Sequence, residues 1–349
     1  MTEAGWVAEL LNWFDKNRRQ LPWREDKDPY KVWVSEIMLQ QTKVEAVRPY
    51  FESWLDRFPT MALLAEASED EVLHQWQGLG YYSRAKHLHN AVQEVVSDYG
   101  GKVPVERKEI LSLPGIGDYT AGAVLSIAYG KPEVAVDGNV LRVFSRLYAV
   151  RDNVLLSITK KKITALAKAV LPLDRPGDFN EALMDFGAMV CIPRQPRCSS
   201  CPIQTFCKAY STETAELLPI RTKRGPVPLD EMVVAVVEQS GRFLLHRRLN
   251  KGILSSMWEF PNLILKDDLA GLAAIVDLLA KKGVQFVPDE RSLGEITHVF
   301  SHRKWHMIIY SGRVSEVMNC ADPAWQWFNR KEWLDIPWAG PHGKITSMV

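Results

Sequence analysis

Four of the chain's five cysteines, Cys191, Cys198, Cys201 and Cys207, fall in one short stretch with spacing C-x6-C-x2-C-x5-C. Four thiolates closing on one metal group would tie this loop into a single compact turn, a stronger restriction on the fold than any other stretch imposes. Structural zinc sites usually show two tight pairs, and only Cys198 and Cys201 form one here. A 4Fe–4S cluster is a larger object that one loop of uneven spacing can wrap. The spacing suits the cluster better and leaves zinc, or four unligated thiols, open. Cys320 stands apart and is expected to be a small buried side chain.

The cluster reading needs a reducing compartment, where grouped cysteines mean metal more often than disulfides. The opening residues support one. Val7, Leu10, Leu11 and Phe14 fall at i, i+3, i+4, i+7, and the segment also carries Glu3 and Glu9. That is an amphipathic helix facing a core, not a signal peptide. No apolar run approaches the roughly 18 residues of a membrane span. A cytoplasmic protein of bacterial type, with no membrane partner, is expected. The 43 basic and 42 acidic residues leave a net charge of +1, so a polyanionic partner would have to meet a local patch.

Up to about residue 210 the periodicity is helical. Val44 to Phe58 is one example, with Val47, Phe51, Trp54, Leu55 and Phe58 on one stripe and Pro49 expected to kink the helix or mark a late start. The Pro-rich, basic stretch 217–231 reads as a linker. Beyond it "MVVAVVEQ", "GRFLLHRR" and "WEFPNLIL" read as strands, with Ser240-Gly241 as a turn. Residues 267–282 read as a helix, and "ITHVFSHRKWHMIIYSGRV" as a long strand or hairpin. The chain is therefore multidomain, mainly α followed by α+β.

"LPGIGDYTAGAVLSIAYG" joins a Gly-x-Gly turn to an apolar helix start. Gly115 and Gly117 would let the backbone turn tightly and expose its N–H groups, with Asp118 as the N-cap. Free N–H groups at a helix start bind anions, and a helix ahead of the turn would complete a helix-hairpin-helix, which holds DNA by its backbone. An ordinary αα-turn would read the same. Glu36 shares a helical face with Val32, Trp33 and Leu39. Desolvated there, its carboxyl would have a raised pKa, as a general acid needs; it could also reach out to water from the stripe's edge. Asp137 ends the apolar run before "GNVLRVFSRL" and reads as a turn or cap residue, or as a carboxylate held ionised at a helix N-terminus. An acid paired with an ionised carboxylate is how glycosidic bonds are broken.

The ordered combination of L-P-G-I-G hairpin, V-D-G-N segment and cysteine loop resembles the helix-hairpin-helix DNA glycosylases of the endonuclease III superfamily. With "LPWR", "VSEIMLQQT", "GLGYYSRA", "FNEALMDFGAMVC" and the C-terminal "FSH", nearly the whole chain resembles the MutY-type adenine DNA glycosylases. The resemblance implies one 4Fe–4S cluster on the four cysteines, with a structural monovalent or divalent cation at the hairpin as a further expectation. It implies excision of adenine paired with 8-oxoguanine or guanine from double-stranded DNA, by a monomer. Glu36 would protonate the leaving adenine and Asp137 would stabilise the sugar cation. Tyr119 and Asn139 would position the sugar and Asp137. Trp23, Arg24, Leu39 and Glu181 would line the adenine pocket, Gln41 and Tyr81 would wedge into the base stack, and Gly115 and Gly117 would meet the DNA backbone. Relatives that also cut the strand carry a Lys where this chain has Tyr119; a phenol cannot form the Schiff base, so a monofunctional enzyme is expected. Arg194 and Arg197, beside the cysteines, would add phosphate contacts.

The implied division is a glycosylase region over 1–216 (helical barrel about 22–132, cluster subdomain 1–21 plus 133–216), a linker over 217–231 and a Nudix-like domain over 232–349. A Nudix hydrolase needs a Glu-rich helix for Mg²⁺, and "DDLAGLAAIVDLLAKKGV" has no Glu, so that chemistry should be gone. The resemblance makes this domain the reader of 8-oxoguanine, through Phe300, Ser301 and His302, with His298 and Arg303 near phosphate. By residue type alone Phe300 reads equally as a core aromatic and His302 as a solvated strand residue. The rivals are an endonuclease III-like lyase, a non-enzymatic lesion binder and a Nudix hydrolase; Tyr119, the pair Glu36 and Asp137, and the missing Glu residues argue against them in turn.

Overall fold

The computed structural model describes residues 5–222, 225–249, 251–265, 271–317 and 322–349. They form two compact units, one built from residues 5–66 and 87–222, the other from 67–86 and the described residues from 225 onward. Cys320, and the first residues of the predicted helix 267–282, lie outside the described residues.

Helices follow one another along the first part of the chain: α1 (Gly5–Asn17), α2 (Pro29–Leu39), α3 (Val44–Arg57), α4 (Met61–Glu66), α5 (Glu69–Gln75), α6 (Ser83–Asp98), α7 (Arg107–Ser112), α8 (Asp118–Ile127), α9 (Gly138–Leu147), α10 (Ser157–Ala169), α11 (Pro176–Met189) and α12 (Lys208–Ser211). Their starts follow local chemistry. Asp28 caps α2, accepting from the Lys31 N–H, with Pro29 preset at the first position. Pro176 opens α11 in the same way. Pro49 neither delays nor ends α3, which begins at Val44; near the N-terminus the ring removes a single ladder bond. Asp118 is not the cap of α8. Gly117 holds the extended cap conformation, and Asp118 is the first helical residue, its side chain 88% exposed and ion-paired with Arg107. Its charge still suits a helix N-terminus.

Two packing groups fix the helices of the first unit. The predicted α1 stripe packs on α11 and α9 in one core that includes Trp6, Phe144, Phe179 and Phe186. Helix α8, buried from Thr120 to Ile127, packs on α2 and α11.

In the second unit the described residues form an eight-stranded mixed sheet. Strand β1 (Leu229–Gln239) turns through Ser240 and Gly241, both at positive φ (51° and 76°), into β2 (Arg242–Arg247), the turn that matches strand twist. "WEFPNLIL" is not one strand. It divides into β3 (Trp258–Glu259), paired with β2, and β4 (Asn262–Ile264), paired with β1. Pro261 lies at the break, lacking the N–H a continuous ladder needs. Helix α13 (Gly271–Lys281) and β5 (Val284–Pro288) precede the expected hairpin, β6 (Gly294–Val299) and β7 (Lys304–Val317), whose connecting loop is 300–303. Strand β8 (Trp325–Asn329) and helix α14 (Gly340–Gly343) complete the unit. Strand β1 is buried on both faces. Met232, Val234 and Val236 meet Trp305, Met307 and Ile309, while Val233, Ala235 and Val237 meet Ile275 and Leu279 of α13.

Candidate active site

The first unit holds a cavity of about 140 Å³ lined by Trp23, Arg24, Glu36, Leu39, Tyr119, Asp137, Asn139 and Glu181, among others. Eight residues singled out in the sequence, from five separate segments, therefore converge on one space.

Glu36 does not reach out to water; it is 5% exposed. Burial lifts its pKa to about 7, helped by the charges of Asp137 and Glu181 and opposed by the Tyr119 hydroxyl and Arg24. Tyr119, in the first turn of α8, donates its hydroxyl to Glu36 Oε2, and its own pKa lies well above the ordinary value because it too is buried. A carboxyl poised near 7 can hold or release a proton in neutral solution.

Asp137 caps α9. Its Oδ1 accepts from the Val140 N–H at 2.8 Å and its Oδ2 from the Asn139 amide at 2.8 Å. Burial raises its pKa, and these donors oppose the rise. Asn139 is held in turn by Arg142, whose Nη2 donates to Asn139 Oδ1 at 2.8 Å and to the Gly187 carbonyl at 2.7 Å. Arg142 Nε reaches the Cys191 carbonyl at 2.8 Å. Gly187 permits this approach of α11 to α9, since a Cβ there would lie 2.7 Å from Asn139 Cβ.

The far wall is an ionic group. Arg24 pairs with Glu181 at 2.6 Å and with Asp185 at 2.8 Å, and Asp185, fully buried, also pairs with Arg19 at 2.6 Å. Sequence reasoning found Arg24 and Glu181 but missed Asp185, Arg19 and Arg142. The i, i+4 spacing of Glu181 and Asp185, which puts two carboxylates on one face of α11, was the available signal.

Gln41 and Tyr81 are exposed, in the first and second unit respectively, and both hold positive φ (60° and 50°). Such backbone strain in non-glycine residues recurs at functional sites. At the hairpin between α7 and α8, Gly115 has φ 76° and a Cβ there would lie 2.6 Å from His87 Cβ. Gly117 has an ordinary φ and open space around it. The expected need for glycine conformation therefore holds at Gly115 alone.

The four cysteines line one cavity with Arg146, Phe186 and Ile203. None is in a disulfide. Burial raises Cys198 and Cys207 and pushes Cys201 to about 12, so these thiols stay protonated unless a metal displaces the proton. Among the described residues no three Cys, His, Asp or Glu side chains converge on one ion-sized point. Four thiols lining one cavity are a donor set that soft metals and metal clusters select. Arg194 and Arg197 are exposed beside it.

A second cavity, of about 710 Å³, lies within the second unit and brings Tyr81 together with Phe300, Ser301 and His302, and with Lys344 and the 252–255 loop. Ser301 and His302 are exposed, with Ser301 Oγ 3.1 Å from His302 Nδ1. Phe300 lines the cavity and packs edge-on against Trp305 at 4.9 Å. Arg303 is paired with Asp230 at 2.8 Å, and His298 packs against Phe300, its pKa lowered by burial.

The family described as HhH-GPD superfamily base excision DNA repair protein matches residues 34–172, and a NUDIX domain matches 232–348. The adenine DNA glycosylase of Homo sapiens is 35% identical over 87% of this chain, which spans 66% of the human protein. That of Buchnera aphidicola (subspecies Schizaphis graminum) is 32% identical over 97% of each. A solved structure of a thermostable thymine-DNA glycosylase superposes with a TM-score of 0.55 at 32% identity, over 60% of this chain and 97% of its own. No helix among the described residues is long and apolar enough to cross a membrane.

Proposed function

Because the chain belongs to the adenine DNA glycosylases of the HhH-GPD base excision repair superfamily, we propose that it hydrolyses the N-glycosidic bond of adenine lying opposite 8-oxoguanine or guanine in double-stranded DNA. One observation carries the reading: Glu36, buried and poised near 7, shares a cavity with a carboxylate, Asp137, that only accepts hydrogen bonds.

Glu36 gives its proton to a ring nitrogen of adenine. The glycosidic bond then breaks with its electron pair leaving on the base, and the sugar becomes an oxocarbenium-like cation. Asp137, fixed by Asn139 and the α9 N-terminus, stabilises that cation, by charge or by a transient covalent bond, until water adds and gives its proton to the now ionised Glu36. Tyr119 and Asn139 position the sugar and the carboxylates. Trp23, Arg24, Leu39 and Glu181 hold the extruded base. Gln41 and Tyr81 fill its place in the stack and offset a flipping cost of a few kcal/mol. Tyr119 forms no imine, so strand scission waits for alkali.

Cys191, Cys198, Cys201 and Cys207 would hold one 4Fe–4S cluster, which ties the loop that carries Arg194 and Arg197. A monovalent or divalent cation would sit at the hairpin between α7 and α8. Gly115 and Gly117 open the hairpin to a phosphate, and Phe300, Ser301 and His302 read the opposite base. The protein acts as a monomer in the cytoplasm, divided into glycosylase region 1–216, linker 217–231 and Nudix-like domain 232–349.

The test uses duplexes with adenine opposite 8-oxoguanine, guanine or thymine, each product run with and without alkali. Adenine release from the first two, with breaks only after alkali, is expected. Breaks without alkali would favour a lyase; tight binding with no release would leave a lesion-binding protein.

A further inference from the structure

His306 lies on β7 just beyond the loop that carries Phe300, Ser301 and His302. Its ring sits between carboxylates from the two neighbouring strands. Nδ1 is 2.6 Å from Glu231 Oε2 on β1, and Nε2 is 3.1 Å from Glu295 Oε2 on β6. The register explains the arrangement: Glu231 is the direct partner of His306 across the parallel pair, and Glu295 lies two residues from its antiparallel partner, Thr297. Diagonal neighbours at that spacing are within reach of long side chains.

A neutral imidazole has one N–H and can donate to one carboxylate only. Both bonds exist together only when the ring is an imidazolium. The hydrogen bond to Glu231 raises its proton affinity above the ordinary value of 6.5, against the effect of burial, and the bond to Glu295 adds to the rise. On β7, up to the register shift opposite Gln285 and Phe286, the other ionisable side chains on this face are Lys304 and Tyr310, by strand alternation. Strand β4 and the first turns of α13 (271–276) bring no ionisable group to this face.

The hairpin has a second tie at the same end. Arg303 pairs with Asp230, and the Phe300 N–H closes the loop onto the Arg303 carbonyl at 2.7 Å. Asp230 and Glu231, adjacent on β1, thus hold the last residue of the loop, Arg303, and the third residue of β7, His306. Isolated surface pairs contribute little. Here the ring is 27% exposed and one proton supports two bonds across three strands, so losing it removes a unit rather than a single contact.

We propose that His306, as an imidazolium shared by Glu231 and Glu295, is a positioning residue for the Phe300–His302 loop, and that losing its proton loosens the loop and weakens readout of the base opposite adenine. The second half rests on the proposed base-reading role of that loop; the first half does not.

The test follows the Phe300 amide by hydrogen exchange in the full-length protein from pH 6 to 9, corrected for intrinsic rates, with the imidazole titrated in parallel by NMR. Protection should fall about threefold as His306 deprotonates, in line with the size of partly exposed ion-pair networks. His306→Gln should stay at the lower level throughout, and Glu295→Gln should move the fall to lower pH. Protection that ignores both the titration and His306→Gln overturns the clamp. A duplex carrying a hydrolysis-resistant 2′-fluorinated adenine nucleotide, opposite 8-oxoguanine or thymine, tests the other half. If Ser301→Ala leaves the preference for 8-oxoguanine intact, the loop reading fails and the exchange result still decides the clamp. If Ser301→Ala lowers it, the wild-type preference must fall with pH alongside protection, and a pH-independent preference overturns the second half.

Discussion

Glu36 and Asp137 are two carboxyl groups in one cavity with opposite surroundings. Glu36 is deeply buried and meets the Tyr119 hydroxyl; Asp137 meets a backbone N–H and an amide at a helix start. Removing the proton donor should be decisive: Glu36→Gln is expected to lower single-turnover excision by at least about a hundredfold while DNA affinity changes little, as measured by quenched-product assay and titration. The pH profile follows the raised pKa. Excision needs Glu36 protonated, so its rate should decline as pH rises through about 7. Stability follows the same sign. A carboxyl whose folded pKa lies above its ordinary 4.5 contributes fully below that value, and the contribution is lost as pH rises through about 7. Glu36→Gln should therefore be more stable than the parent at pH 8, by on the order of 1–3 kcal/mol, and equal to it near pH 4.5. Urea melts at both pH values check this.

Helix α11 organises the site at the scale of elements. One face carries Glu181 and Asp185 to Arg24, and a small residue, Gly187, lets α9 come close enough for Arg142 to hold Asn139. Asp185→Asn leaves Arg19 and Arg24 without their shared buried partner, and should cost about 3–5 kcal/mol, read as a lower denaturation midpoint. Gly187→Ala tests geometry more than stability. The added methyl would push on Asn139 Cβ, so excision should fall by more than DNA affinity does. Equal losses of both would mean that Asn139 does not position Asp137.

The whole molecule has almost no net charge, so contact with a polyanion must be local. Exposed Arg194 and Arg197 on the cysteine loop are the test. Replacing both with Gln should reduce the slope of log affinity against log salt by about 2, near the 0.9 per phosphate contact expected for duplex DNA. An unchanged slope would remove that loop from the interface. The second unit keeps a sheet of Nudix type, yet α13 carries no Glu, so added Mg²⁺ should bring no hydrolysis of nucleoside triphosphates.

Much of this was written in residue order. Period 3.6 marked α1 and α3, alternation marked the β6–β7 hairpin, the cysteine spacing marked a loop that gathers four thiols in one cavity, and the ordered motifs marked the family, because each is a local pattern that short-range sterics and side-chain chemistry enforce. Local signals misled where two local rules competed: Asp118 could cap a helix, but Gly117 does; "WEFPNLIL" alternates like a strand, but Pro261 divides it. Only the tertiary structure decided whether Glu36 meets water or a hydroxyl, because burial depends on α8, some eighty residues away in sequence, closing over α2. It alone joined Asp185 to Arg24, Arg142 to Asn139, and His306 to two carboxylates. A pKa or an ion pair is set by what the fold brings within a few ångströms, and no spacing along the chain records that.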